Sequence, residues 1–423
     1  MRVVFASYGG RGDIEPSVVV GRELAARGHD VLMAVPPNLT GFAAAAGLEA
    51  VAYGLDSREI LEAQRKYWTC YFRTPWKFAE LAVMNQATAE FAIACWDDMT
   101  RTLPDVARGA DLLLSGLIFE QPAVNVAEAL NIPLAAVHFF PMRPNGHLLP
   151  YLPAPVCRAA MTLNDAGVWR GTSVAENAQR RTLLGLPDAD APVGDRAARR
   201  GALEIQAYDT VCFPGVAQEW ADRALLRPFV GALALEQSTG TEEDALAWIN
   251  AGETPICFGF GSVPVSSAAD TLAMIDHACA RLGTRALVCS GSTDFGQAPR
   301  SERVTVVGQV NYAEIFPACA AVVHHGGAGT LAAALRAGVP QLVLWTLPDQ
   351  PFFAAQLRRM KVGTGRRFAA TTADSLVADL RKISHPRYRQ NAQRVAEQMS
   401  TPRESAAAAA DRVEAYVRRF GSR

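Results

Sequence analysis

The sequence predicts an α/β protein made of two doubly wound parallel sheets facing a cleft. Three observations predict it. The chain has 423 residues, too many for one ordinary domain and enough for two of roughly 200. Short apolar runs alternate with helical segments in both halves, the grammar of parallel βαβ units covered on both faces. Each half also carries a glycine loop directly after a buried run, where open α/β sheets hold ligands.

The first element is the strand Val3-Val4-Phe5-Ala6, broken by Gly9, Gly10 and Gly12. A helix follows from about Ile14 to Ala26 and ends at Gly28. His29 to Val35 is the next strand, stopped by Pro36-Pro37. The pattern returns at Asp111 to Leu114, a helix to Leu130, and Pro133 to Val137. It restarts near Pro255, with strands at Ile256–Phe260, Ala286–Cys289, Val304–Val307, Ala321–Val323 and Gln341–Trp345, and a helix over Leu272–Leu282. A less periodic stretch, residues 218–245, separates the halves. A final helix spans about Arg403 to Arg419.

Composition excludes several classes. With 41 Lys+Arg against 42 Asp+Glu, no basic face exists to dominate nucleic-acid binding. No run of about 18 apolar residues is present, so nothing is expected to span a membrane. The short apolar run Val3–Ala6 is not a secretory signal. The eight cysteines are scattered without a CxxC pair, which suits a reduced cytoplasmic chain with small core thiols.

The loop His324-His325-Gly326-Gly327-Ala328-Gly329-Thr330 follows a buried strand and opens a helix. Its glycines let a ligand approach the backbone, and the helix start offers N–H groups and partial positive charge. No carboxylate lies inside it, so it suits a diphosphate; a tight turn with packed histidines is the competing reading. Gly259-Phe260-Gly261-Ser262 is a second loop of this half, with Ser262 either a phosphate donor or a helix cap. The N-terminal loop differs. Asp13 and Glu15 would repel a pyrophosphate, which excludes a nicotinamide or flavin site there. Asp13 is either a general base aimed into the cleft or an N-cap before Pro16. Asp349-Gln350, after the strand ending at Trp345, either hydrogen-bond sugar hydroxyls or cap a helix.

Taken together and in this order, these segments and Ala337-Gly338-Val339-Pro340 resemble the family 1 nucleotide-sugar glycosyltransferases of GT-B architecture, two Rossmann-like domains. The likeness covers nearly the whole chain. It is strongest to bacterial enzymes of glycopeptide-antibiotic biosynthesis and to actinobacterial enzymes acting on glycopeptidolipids. The resemblance implies an acceptor-binding domain at 1–220, a linker at 221–245 and a nucleotide-sugar-binding domain at 246–402. A C-terminal helix at 403–423 would cross back to the first domain. It implies diphosphate contacts from Ser262, His325, Gly327, Ala328, Gly329 and Thr330, sugar contacts from Asp349 and Gln350, and base contacts from Gln309 and Val310. Asp13 matches the aspartate that the bacterial branch places near the acceptor hydroxyl. One departure stands out: many relatives have a ribose-binding glutamate where this chain has Ala333, so UDP- and dTDP-sugars are equal expectations.

The expected reaction is inverting and needs neither metal nor cofactor beyond the nucleotide-sugar co-substrate. Asp188-Ala189-Asp190 has the D-x-D pattern of metal-dependent transferases but reads as a solvated turn. The acceptor, a lipid or a natural-product aglycone, is expected to be partly apolar. Gly10, Trp68, Phe72, Trp76, His138 and Phe139 are candidates for its groove, and the aromatic stretch is a candidate for peripheral contact with the inner face of a membrane. Ordinary core packing is the alternative for these residues. A sugar-nucleotide epimerase and a non-catalytic nucleotide-sugar-binding protein are the rival functions on the same architecture.

Overall fold

The computed structural model describes residues 1–235, 240–261, 267–291, 293–296 and 301–421. The chain forms two compact units. The first comprises Met1–Tyr67, Pro75–Leu235 and Ser400–Arg423, the second Trp68–Thr74 and Glu236–Met399.

The first unit is built on six parallel strands: β1 (Arg2–Ala6), β2 (Asp30–Val35), β3 (Glu49–Ala52), β4 (Leu112–Ser115), β5 (Leu134–His138) and β6 (Leu203–Gln206). Their order is β3-β2-β1-β4-β5-β6. β4 and β5 are buried at every residue, which is why they read as unbroken apolar runs rather than alternating ones. The chain winds outward from β1 to β3 and then reverses to β4. The reversal of strand order falls between β1 and β4, and the loops that leave these strands stay together through a bridge between Tyr8 and Ile118.

The second unit repeats the plan with β7 (Ile256–Gly259), β8 (Ala286–Cys289), β9 (Val304–Val307), β10 (Ala321–His324), β11 (Gln341–Trp345) and β12 (Gly363–Arg367). The order is β12-β11-β10-β7-β8-β9, again all parallel. Here the reversal falls between β7 and β10. The two glycine loops of this half leave those two strands.

Three long helices were not anticipated: Ser57–Arg73, Phe78–Ala107 and Ala154–Leu183. Two start points also move. The first helix begins at Arg11 rather than Ile14, and the helix after β10 begins at Ala328, inside the glycine loop, rather than after it at Leu331. The helix Pro402–Gly421 belongs to the first unit. Its Ala409, Ala410 and Val413 share a buried cluster with Val18 and Leu24 of the first helix. Arg27 pairs with Asp411 at 2.7 Å, and His29 meets Glu414 at 3.0 Å. All eight cysteines are free thiols, and seven of them are buried.

Candidate active site

In the second unit the sequence places a short strand, AVVH, before three closely spaced glycines. The strand is fully buried and delivers His324 and His325 to the carboxyl edge of the sheet. His324 is completely buried, with Nε2 2.9 Å from Gln341 Oε1 and Nδ1 accepting the Gly326 N–H at 3.1 Å. Accepting at Nδ1 makes Nε2 the protonated nitrogen. Burial pushes its pKa down to about 3, so it is a neutral brace for the turn.

His325 stands between the two loops. A Cβ on Gly261 would fall 2.5 Å from its Cε1, and one on Gly327 would fall 2.6 Å from its Nε2. Only glycine leaves room for the ring at either position. Desolvation lowers the His325 pKa to about 4, against an opposing pull from the Gly259 backbone. The side chain is therefore an uncharged donor near neutral pH. Gly327 is the N-cap of the helix Ala328–Arg336 and has no side chain to bond the helix start. Leu331 N–H reaches Gly327 O, while the N–H groups of Ala328, Gly329 and Thr330 lie in the first turn, which has no intrahelical acceptors. Three donors and the dipole end thus face the carboxyl edge between β7 and β10. Ser262 lies outside the described residues.

Asp349 is the N-cap of the helix Gln350–Met360 after β11. Desolvation raises its carboxyl pKa, countered by the Asp349 and Gln350 backbone N–H groups. Gln350 is buried, and its Oε1 accepts the Thr346 and Leu347 N–H groups at 2.7 and 2.9 Å. That oxygen holds the loop; the amide nitrogen is what Gln350 has left to offer a ligand. Gln309 and Val310 follow β9, and the Gln309 carbonyl accepts from Thr241 Oγ1 at 2.7 Å. A groove of about 570 Å³ runs beside them, lined by Ser290, Thr293, Asp294, Phe295, Val307 and Gly308. Ala333 is part of the hydrophobic packing of its helix. Phe72 stands edge-on to Trp345 with centroids 5.2 Å apart, and Arg367 donates to the Phe72 carbonyl at 2.5 Å. Trp345 and Arg367 are in register across β11 and β12, next to the Asp349 loop. In the sequence Trp345 reads only as the end of its strand, and Arg367 carries no signal.

In the first unit, Asp13 is the third residue of its helix, and its Oδ2 accepts the Gly10 N–H at 2.7 Å. This reach-back explains the early helix start, and the half-buried carboxyl lies at the loop that leaves β1. Gly9 has φ +123°, and a Cβ there would lie 2.5 Å from Asp13 Oδ2. The β4 loop places Phe119, itself at φ 57°, in a stack on Tyr8 at 5.3 Å.

His138 does not line a groove. It is completely buried at the end of β5, with Nε2 2.6 Å from Glu120 Oε1. Arg143 binds Glu120 at 2.9 Å and Glu204 at 2.5 Å, and Arg227 binds the other Glu204 oxygen at 2.6 Å. The two acids and two arginines neutralise one another below the surface. Desolvation alone would raise the Glu120 pKa, but Arg143 and His138 outweigh it and hold the carboxyl down at about 2. Phe139 is half-buried, Trp68 half-buried and Trp76 exposed. Asp188 and Asp190 are exposed and pair with Arg181 and Arg199, as a surface turn does.

Two doubly wound sheets, one with an anion-ready loop pair at its reversal point and the other with a carboxylate at its own, define the GT-B class of glycosyltransferases. The chain belongs to family 1 of that class. Residues 286–414 match the C-terminal domain of the erythromycin biosynthesis protein CIII-like family. An uncharacterized glycosyltransferase of Mycobacterium tuberculosis (strain ATCC 25618 / H37Rv) is 51% identical over 423 residues, spanning 99% of this chain and 100% of the relative. Glycosyltransferase GtfE of Amycolatopsis orientalis is 29% identical over 430 residues, 99% and 98% of the two chains. Among solved structures, the calicheamicin glycosyltransferase CalG4 superposes with TM-score 0.67 at 18% identity, covering 99% and 98%. The glycosyltransferase VinC in complex with dTDP gives 0.61 at 20% identity, covering 98% and 100%.

Proposed function

We propose that this glycosyltransferase is inverting and metal-independent, moving a hexose or deoxyhexose from a UDP- or dTDP-sugar to a hydroxyl of a partly apolar acceptor, a glycopeptidolipid, another envelope lipid or a natural-product aglycone. The observation that carries the reading is the His325 ring and the free first turn at Ala328–Thr330, gathered where β7 and β10 part. A diphosphate there accepts three backbone N–H groups and the imidazole. Those donors are fixed before the reaction, so they stabilise the negative charge that grows as the sugar leaves. The groove beside Gln309 suits a base on the far side of the phosphates. VinC, similar in fold, was crystallised with dTDP, which supports a nucleoside diphosphate ligand.

Asp13 takes the proton of the acceptor hydroxyl as its oxygen attacks the anomeric carbon. The C–O bond to the diphosphate breaks on the opposite face, and the nucleoside diphosphate leaves with the electron pair. Such a base contributes about 10²- to 10⁴-fold. Asp349 and the Gln350 amide supply sugar contacts. The protein would act in the cytoplasm, at the inner face of the membrane when its acceptor is a lipid. The test is a mass-spectrometric screen of UDP- and dTDP-sugars against envelope lipids and aglycones. A product heavier than the acceptor by one sugar residue supports transfer. Isomerised donor without product, or nucleotide binding without turnover, sinks it.

A further inference from the structure

The helix Ala154–Leu183 of the first unit buries only Cys157, Glu176, Gln179 and Arg180. Its outward side carries Val156, Leu163 and Val174 at 52%, 72% and 80% exposure. Their spacings of seven and eleven residues put the three within about 20° of one another around the axis. Ala160, Gly167 and Gly171 lie between them, all exposed, and give the row no polar cover. Tyr151, also exposed, stands just before the helix.

Charge on this helix is one-sided. Glu176 is buried and bonded to Asn125 and Arg196, and Asp165 is half-buried. The exposed charges are all arginines: Arg158, Arg170 and Arg181. Arg158 pairs with Glu219 and Arg181 with Asp188. Arg170 makes no ion pair among the described residues, and seven residues from Leu163 it falls on the apolar row itself. An apolar stripe with an uncompensated guanidinium at its middle, on a helix with no exposed carboxylate, complements a surface that is anionic outside and apolar within. A second copy fits less well, because two-fold pairing sets the same cationic face against itself.

We propose that the outward face of helix Ala154–Leu183 docks the protein onto a bilayer containing anionic phospholipid. Leu163 and Val174 enter the headgroup–acyl boundary, and the Arg170 stem lies along them with its head at the phosphates. The proposal concerns where the protein works and stands apart from what it transfers. It moves membrane contact away from the aromatic stretch around Trp68 to a helix of the first unit.

Co-flotation of the full-length chain with phosphatidylcholine vesicles, with and without phosphatidylglycerol, tests it. The expected result is flotation with the anionic vesicles that weakens as salt rises. The double variant Leu163→Asn/Val174→Asn is expected to lose about tenfold in partitioning, and Arg170→Glu a similar amount at low salt. These exposed positions leave the fold intact, which an unchanged nucleotide-induced melting shift confirms. Wild type that stays behind, or a double variant that floats as well as wild type, overturns the proposal. So does a wild-type dimer in sedimentation that these substitutions make monomeric. Failure of any nucleoside diphosphate to shift the melting temperature would instead strike the donor pocket and leave the vesicle result standing.

Discussion

The His325 ring occupies the space that side chains on Gly261 and Gly327 would need, with its Cε1 2.5 Å from the first Cβ position and its Nε2 2.6 Å from the second. One imidazole therefore fixes the distance between loops that leave β7 and β10. Gly261 also sits at φ +60°, where a side chain is strained whatever the space. Gly261→Ala must displace the ring or its own loop. The expected outcome is loss of the melting shift caused by dTDP or UDP, with the unliganded melting temperature lowered only modestly. A variant that binds nucleotide as tightly as wild type would detach the loop pair from the donor.

His325 is neutral in the free protein because burial holds its pKa at about 4. A diphosphate beside it favours the charged form, so its pKa rises on binding. Between the free and bound values the complex carries more protons than the free protein. With an intact nucleotide-sugar, whose diphosphate does not titrate in this range, binding then takes up protons, and affinity strengthens as pH falls from neutrality toward about 5. Titration calorimetry in two buffers of different ionisation heat measures the uptake. His325→Gln should abolish it while keeping a donor in place. Wild-type binding without proton uptake at about pH 5 would remove His325 from the phosphates.

The carboxylate proposed as the base also holds its helix start, since Asp13 Oδ2 accepts the Gly10 N–H. Asp13→Asn keeps an oxygen for that N–H and removes the basicity. Its turnover should fall about 10²- to 10⁴-fold with nucleotide affinity unchanged. Asp13→Ala should add a loss of stability of roughly 0.5–2 kcal/mol, the scale of a lost cap. Equal turnover of Asp13→Asn and wild type would assign the base elsewhere.

Much of the scaffold could be read because its strands are covered on both faces. VVFA, LLL and AVV are unbroken apolar runs for that reason, and the first and last lead to the loops that carry Asp13 and His325. β12, Gly-Thr-Gly-Arg-Arg, carries no such run and was invisible. The helix Phe78–Ala107 buries seven of its thirty residues, which leaves too little apolar period to see. The role of Gln350 was half legible: an acid–amide pair suggests hydroxyl recognition, but only coordinates show its oxygen spent on Thr346 and Leu347. The group around His138 had no local signature at all. Glu120, His138, Arg143, Glu204 and Arg227 come from five separate places in the chain and meet only in three dimensions.

That group makes the acid limit of the first unit predictable. Glu120 is 7% exposed, and Arg143 and His138 hold its pKa at about 2, below the ordinary 4.5. A depressed carboxyl contributes stability that is complete above 4.5 and is lost as pH falls through about 2. The Glu204 carboxyl, also lowered by Arg143, adds in the same direction. Glu120→Gln leaves a buried Arg143 one charge short and should cost about 3–5 kcal/mol at neutral pH. Because the variant has no carboxyl left to protonate there, its melting temperature should also fall less steeply than wild type between about pH 4.5 and 2. Calorimetric melting of both proteins across that range checks the two effects together. Equal acid slopes would mean that the Glu120 pair contributes nothing to the pH dependence.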